Sequence, residues 1–275
     1  MRGKILAGCG AAVLAGCGVL TPIDELTWST ELARTLPLED GKAVEAARFS
    51  KLRAGADLKG GWEPFAIVKG NTPTNYQLVE QDGVVVIQAD SVEGGSGLSR
   101  KIHIDPHRYP IIEWRWRVPR DSGRGGANSP SRESPPVRLS LAFDGDVAKL
   151  DFDDRTKLRM AKVLTLNGLP YASLLYVWLH RRPVETVYAS PHTERVQHIV
   201  VESGEQRLDQ WVTVRRNILD DYRRAFGEDP GRIVAVGIMT DYGDNNAPRR
   251  AFYGDITFSP ASGHPDCCRP EGERR

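Results

Sequence analysis

The residues with most chemical capacity in this sequence stand at alternating positions of three short apolar runs. In IIEWRWRV (111–118), Trp114, Trp116 and Val118 share one face of an extended strand, so Glu113, Arg115 and Arg117 point the other way. In VRLSLAF (137–143), Arg138 and Ser140 stand opposite the apolar set, and LLYVWLH (174–180) adds Tyr176, Trp178 and His180. Gathered on one concave sheet face, these side chains would form a groove for a sugar or a uronate. An aromatic ring stacks on the C–H face of a pyranose, while a guanidinium binds hydroxyls or carboxylates bidentately. In an enzyme of this kind, a sandwich-type polysaccharide lyase or glycoside hydrolase, Arg115, Arg117 or Arg138 would neutralise a uronate carboxylate, and Tyr176 or His180 would act as base or acid. The same pattern also suits a solvated face, or a Glu–Arg network covered by the loop at 119–136.

A second constellation is Asp241, Asp244 and Asn245, with Asp255 on the run that follows. Oxygen ligands at short spacing on a loop suit calcium, a hard cation that takes carboxylates and carbonyls. Asp144-Gly145-Asp146 is a smaller acidic turn of the same type, and for both the alternative is ordinary Asx-turn chemistry. There is no GxSxG, GxxxxGK[ST], HExxH or CxxC. Gly94-Gly95-Ser96-Gly97 lacks the final glycine of a nucleophile elbow and reads as a turn, and the six histidines have no ligand spacing.

The elements that must position these residues are short strands. The 275 residues include 27 Gly and 18 Pro, a composition that favours many turns over long helices. Further strand patterns run over 83–89 (GVVVIQA), 196–201, 211–215, 233–240 and 251–258. Many short strands without alternating helices predict an all-β, antiparallel β-sandwich. Two short helices interrupt the series: 153–167, and 217–226 with Asn217 as N-cap, Gly227 at the C-terminal end and Pro230 as a stop. The stretch 119–136 (PRDSGRGGANSPSRESPP) has almost no apolar anchor and reads as a mobile loop. Residues 17–48 read as a tether carrying a short helix near 42–49, residues 49–259 as one domain, and 260–275 as a disordered tail. Lys plus Arg number 37 against 36 Asp plus Glu, too balanced for a nucleic-acid partner bound through bulk charge.

The chain opens with MRGKILAGCGAAVLAGCGVL, in which Arg2 and Lys4 precede an apolar run far shorter than the roughly 20 residues of a membrane span. It ends in Leu14-Ala15-Gly16-Cys17, which resembles the lipobox of bacterial lipoproteins. The resemblance implies cleavage before Cys17 and lipidation of that residue, giving a chain anchored to a membrane without spanning it. Gly18 in place of an aspartate implies the outer membrane, facing the periplasm, in a host that has one. The adjacent Cys267 and Cys268 leave free thiols or pairing between chains as options.

An ordered set of motifs over about residues 49–258 resembles a bacterial family, domain of unknown function 3047. Its carriers are Trp62-Glu63-Pro64, Tyr76, Ser96-Gly97-Leu98, Ile104-Asp105-Pro106, IIEWRWRV, VRLSLAFDGD, LPYASLLYVW, IVVESG, DDYRRAFGEDPG and YGDITF. The chain departs from the pattern at Glu133-Ser134, where the family carries an acidic pair, and at Asp241–Asn245, where a compact D-x-D-N-T run is spread out. Membership implies an export signal and a jelly roll similar to galactose-binding and lyase-like sandwiches, with no established activity. The expectation is an exported lipoprotein of the cell envelope that binds a glycan or other polar ligand through Arg115, Arg117, Arg138, Tyr176, Trp178 and His180, with calcium as the one candidate cofactor. The alternatives are the lyase or hydrolase above, and a structural envelope protein.

Overall fold

A computed structural model describes residues 42–58, 60–65, 72–92, 94–122, 134–157, 170–241 and 248–261. The proposed leader, Cys17, Asp244, Asn245, Cys267, Cys268 and most of the 119–136 loop lie outside them. Thirteen described strands form two sheets. The six-stranded sheet holds β11 (Val212–Asn217), β6 (Ile111–Arg117), β13 (Arg249–Ser259), β4 (Val84–Ser91) and β3 (Asn75–Gln81) in that order, with β1 (Val44–Ala47) also paired to β13. The seven-stranded sheet runs β2 (Trp62–Phe65), β5 (Gly95–Ile104), β12 (Ile233–Asp241), β7 (Arg138–Phe143), β8 (Ala172–Leu179), β10 (Thr193–Ser203) and β9 (Val187–Ser190). From β4 to β7, and again from β10 to β13, the chain crosses between the sheets at every connection, as in a jelly roll. All pairings are antiparallel except β8 with β10, which is parallel.

The core lies between the sheets, and alternation explains most of it. Ile112, Trp114 and Trp116 of β6 are buried there, with Leu139, Leu141 and Phe143 of β7 facing them from the other sheet. Trp114 meets Trp116 edge-on at 5.3 Å and lies 5.0 Å from the Tyr176 ring, contacts that exceed simple area burial in value. Helix α1 (Ile218–Phe226) starts where Asn217 Oδ1 accepts from the amides of Leu219 and Asp220. It ends at Gly227, whose φ of +71° is the left-handed conformation glycine adopts without steric cost. Residues 152–157 are helical, the described part of the other expected helix.

Three local expectations are corrected. Residues 44–47 form β1 where a helix was expected, followed by a 3₁₀ turn over Phe49–Lys51, so the sandwich begins inside the stretch read as tether. Four residues of VEAA are too few to display a period. The glycines of 94–97 are mostly strand: Gly95 and Gly97 open β5. A Cβ on Gly97 would stand 2.2 Å from Phe65 Cε1, so the glycine serves close packing of β2 on β5. Several strands outside the expected set, among them β3 and β9, complete the sheets.

Candidate functional site

The two-residue period carries Glu113, Arg115 and Arg117 to the outer face of the six-stranded sheet, behind Trp114 and Trp116. There the two arginines meet two aromatic residues, while Glu113 lies 3.9 Å from Arg215. The Arg115 guanidinium lies over the Trp211 ring, 4.7 Å from its centroid, and that of Arg117 lies 5.9 Å from the centroid of Phe252. Trp211 and Phe252 are themselves 6.4 Å apart. Phe252 faces outward because β13 carries a bulge between Tyr253 and Ile256, where two intervening residues oppose only Arg115 of β6. The bulge reverses the strand's parity, turning Ala251 and Tyr253 inward and Phe252 out.

Two glycine positions complete the face. Gly254, in the bulge, leaves room for the stem of Arg115: a Cβ there would stand 2.5 Å from Arg115 Cγ and 2.6 Å from Nε. Asp82-Gly83 closes the β3–β4 hairpin with φ of +52° and +77°, the positive pair that a tight two-residue turn requires. This turn holds the Asp82 carboxylate where it accepts from Trp211 Nε1 at 3.1 Å and lies 3.7 Å from Arg117. Trp211 was legible in the alternation of WVTVR, while the bulge hid Phe252.

The remaining expected ligand residues do not join this face. Arg138 stands on the outer face of the opposite sheet, ion-paired to Asp241 at 2.8 Å. Tyr176 and Trp178 are buried between the sheets, at 0 % and 2 % exposure, because β8 pairs Tyr176 with the inward Leu139. The Tyr176 hydroxyl donates to Asp221 at 2.9 Å, and its pKa is pushed well above the ordinary value by burial and then by the Asp221 charge. A phenol so placed reaches no external substrate and is the wrong choice for a base. Trp178 Nε1 donates to the Gly204 carbonyl at 3.0 Å. His180 is exposed at the end of β8, 3.7 Å from Glu205. The single groove of six residues is therefore corrected to one pair, Arg115 and Arg117, joined by Trp211 and Phe252.

The opposite outer face has its own chemistry. The register sets Ser99, Gly237, Ser140, Leu175, His198 and Tyr188 in one row across six strands. Tyr188 stacks on His198 at 4.6 Å with ring planes 7° apart, and Arg182 lies 4.2 Å from the Tyr188 centroid. Burial, reinforced by the charges of Arg138 and Arg182, lowers the His198 pKa to about 4. Outward-facing Val177, Leu179 and Val200 are nonetheless buried, forming a small second apolar cluster with Leu175 and Tyr188.

The expected calcium ligands fare differently from the loop reading. Asp241 has one carboxylate oxygen 2.8 Å from Arg138 and the other 3.3 Å from Arg249, so guanidiniums occupy the positions a cation would need. Asp255 accepts from the backbone and hydroxyl of Ser50. Asp144 accepts from the Arg232 amide, and Asp146 from that of Ala148, which is turn and cap chemistry. Among the described residues no group of three His, Cys, Asp or Glu side chains could hold a metal ion.

The sequence profile of the family described as "Protein of unknown function (DUF3047)" matches residues 60–257. A comparison with curated proteins gives no match. Among solved structures, the family 11 carbohydrate-binding module of cellulosomal cellulase Lic26A-Cel5E of Clostridium thermocellum is 12 % identical, covering 80 % of this chain and 99 % of that one, with a TM-score of 0.37. A non-crystalline cellulose specific module, CBM28, is 12 % identical, covering 82 % and 99 %, with a TM-score of 0.38. The K3 cleaved adhesin domain of Lys-gingipain from Porphyromonas gingivalis W83 is 9 % identical, covering 78 % and 99 %, at 0.36. At these identities and scores the likenesses carry no functional weight.

Proposed function

We propose that this chain, which belongs to the DUF3047 family, is a binding protein that holds a glycan on the outer face of its six-stranded sheet. The observation that carries this reading is the pairing of Arg115 and Arg117 with Trp211, just before β11, and Phe252 of β13. A face needing only solubility is served by mobile Lys, Glu and Thr. Guanidiniums held against rings lose little further freedom on binding and direct planar donors outward, which suits hydroxyl-rich ligands. Anchoring at Cys17 and placement in the cell envelope, on the periplasmic side of an outer membrane where the host has one, belong to the same proposal. A lipid tether keeps such a domain beside envelope polymers and raises their effective concentration at the site.

The test is a polysaccharide array probed with the full-length chain and with Trp211→Ala and Arg117→Ala. The expected outcome is binding to at least one polysaccharide, weakened tenfold or more, about 1.4 kcal/mol, by each substitution. Binding to none, or binding that both variants keep intact, would overturn the reading.

A further inference from the structure

Resting on that reading, we infer that the glycan is a polyanion whose carboxylates are taken by Arg115 and Arg117. The first ground is the accounting of donors. A guanidinium offers five N–H groups, and Arg115 makes no hydrogen bond or ion pair among the described residues, its guanidinium lying instead over the Trp211 ring. Arg117 Nε is buried without an acceptor. The carboxylate nearest Arg117, Asp82 at 3.7 Å, is 70 % exposed and already accepts from Trp211. Glu113, the other carboxylate on this strand face, pairs with Arg215 at 3.9 Å, so Arg115 and Arg117 are left with one distant, exposed anion between them.

The second ground is what covers the aromatic surface. A neutral pyranose is held chiefly by stacking on an open ring. Here one face of Trp211 is taken by Arg115, and Phe252 is only 6 % exposed beneath Arg117. A ligand approaching this sheet finds the rings already shared with guanidiniums, and guanidiniums select carboxylates with paired, charge-assisted hydrogen bonds. The third ground is geometry. Arg115 and Arg117 are two residues apart on one strand face, so their stems emerge about 7 Å apart. That spacing engages two anionic groups of one chain, so a polymer gains where a single acidic sugar does not. Gly254 is the device that keeps Arg115 flat, since any Cβ would collide with its stem.

The experiment is calorimetric titration of the full-length protein at low salt with polygalacturonate, alginate and hyaluronate, each beside its carboxyl-reduced, neutral counterpart. Vesicles of phosphatidylglycerol form a further arm. At least one acidic polymer should bind tenfold or more tighter than its reduced form, and the preference should shrink as salt rises. Arg115→Gln should bring the two affinities together, and Arg115→Lys should not restore the difference, because a point charge lacks the planar fork. Gly254→Ala should act in the same direction as Arg115→Gln. Equal affinity for acidic and reduced polymers would overturn the polyanion inference while leaving glycan binding in place. Binding to none of the six polymers, with or without binding to the vesicles, would overturn the polyanion inference, and binding to no polysaccharide of the array would overturn glycan binding as well.

Discussion

Trp178→Ala separates a core role from a ligand role at a residue whose type suits either. The side chain is 2 % exposed, sits in the cluster between the sheets, and donates from Nε1 to the Gly204 carbonyl at 3.0 Å. Truncating a core Trp or Phe to Ala costs about 3–5 kcal/mol. Loss of the hydrogen bond to Gly204 adds about 1 kcal/mol, because that carbonyl is only partly buried and water can replace the donor. The sum of about 4–6 kcal/mol is a large share of the roughly 5–15 kcal/mol by which a domain is stable. With a urea dependence of about 3 kcal/mol per molar for a domain of this size, the unfolding midpoint should fall by about 1.3–2 M. Far-UV circular dichroism is the suitable probe, since the mutation removes a fluorophore. Trp178→Phe keeps most of the packing and should fall by less than half as much. A Trp178→Ala protein with the wild-type midpoint and a selective loss of glycan binding would refute the reasoning, since it would return Trp178 to an outer face.

Three further outcomes are expected. Asp221→Asn should cost about 3–5 kcal/mol in urea unfolding, because the carboxylate is 4 % exposed and holds both Arg216, at 2.6 Å, and the Tyr176 hydroxyl; a loss below 1 kcal/mol would contradict it. Stability should fall on acidification in two windows. His198 is held neutral to about pH 4 in the fold but takes a proton below about 6.5 when unfolded, so its share is lost from 6.5 down to 4 and His198→Gln removes that slope. Glu185 is held at about 2 by its hydrogen bonds to Arg216 and then Arg224, against an ordinary 4.5, so its share is present above 4.5 and lost as pH falls through 2, and Glu185→Gln flattens that limb. Unfolding midpoints measured from pH 7 to 2 check both, and unaltered profiles in the two variants would contradict them. Cys17→Ala should abolish labelling by radioactive palmitate; equal labelling of wild type and variant would refute the anchor.

Alternation made the strands with one polar face legible and failed where both faces are apolar. IIEWRWRV and VRLSLAF each set charged or hydroxyl residues opposite the core, so their inward and outward faces followed directly from the two-residue period. LLYVWL has no such contrast: Tyr176 and Trp178 enter the core while Leu175, Val177 and Leu179 turn outward into a second apolar cluster. A strand covered on both sides carries no period, and reading its aromatics as ligand contacts reversed the faces. Phe252 escaped for a different reason. Counting back by twos from the inward Phe258 and Ile256 would place it in the core, but the one-residue bulge at Gly254-Asp255 shifts the parity. Bulges depend on pairing with neighbouring strands and leave little trace in the local sequence. The separation of Arg138 from Arg115 depends likewise on strand order, since β6 and β7 are consecutive in the chain yet belong to different sheets.

Amide hydrogen exchange of the full-length protein, with and without a saturating polysaccharide from the array, tests the location of the site most directly. Added protection is expected at Arg115–Arg117 on β6, at Trp211–Thr213 leading into β11, and at Phe252–Gly254 on β13. Protection confined instead to Arg138–Ser140 and His198–Val200 on the opposite sheet would place the ligand on the other face and contradict it.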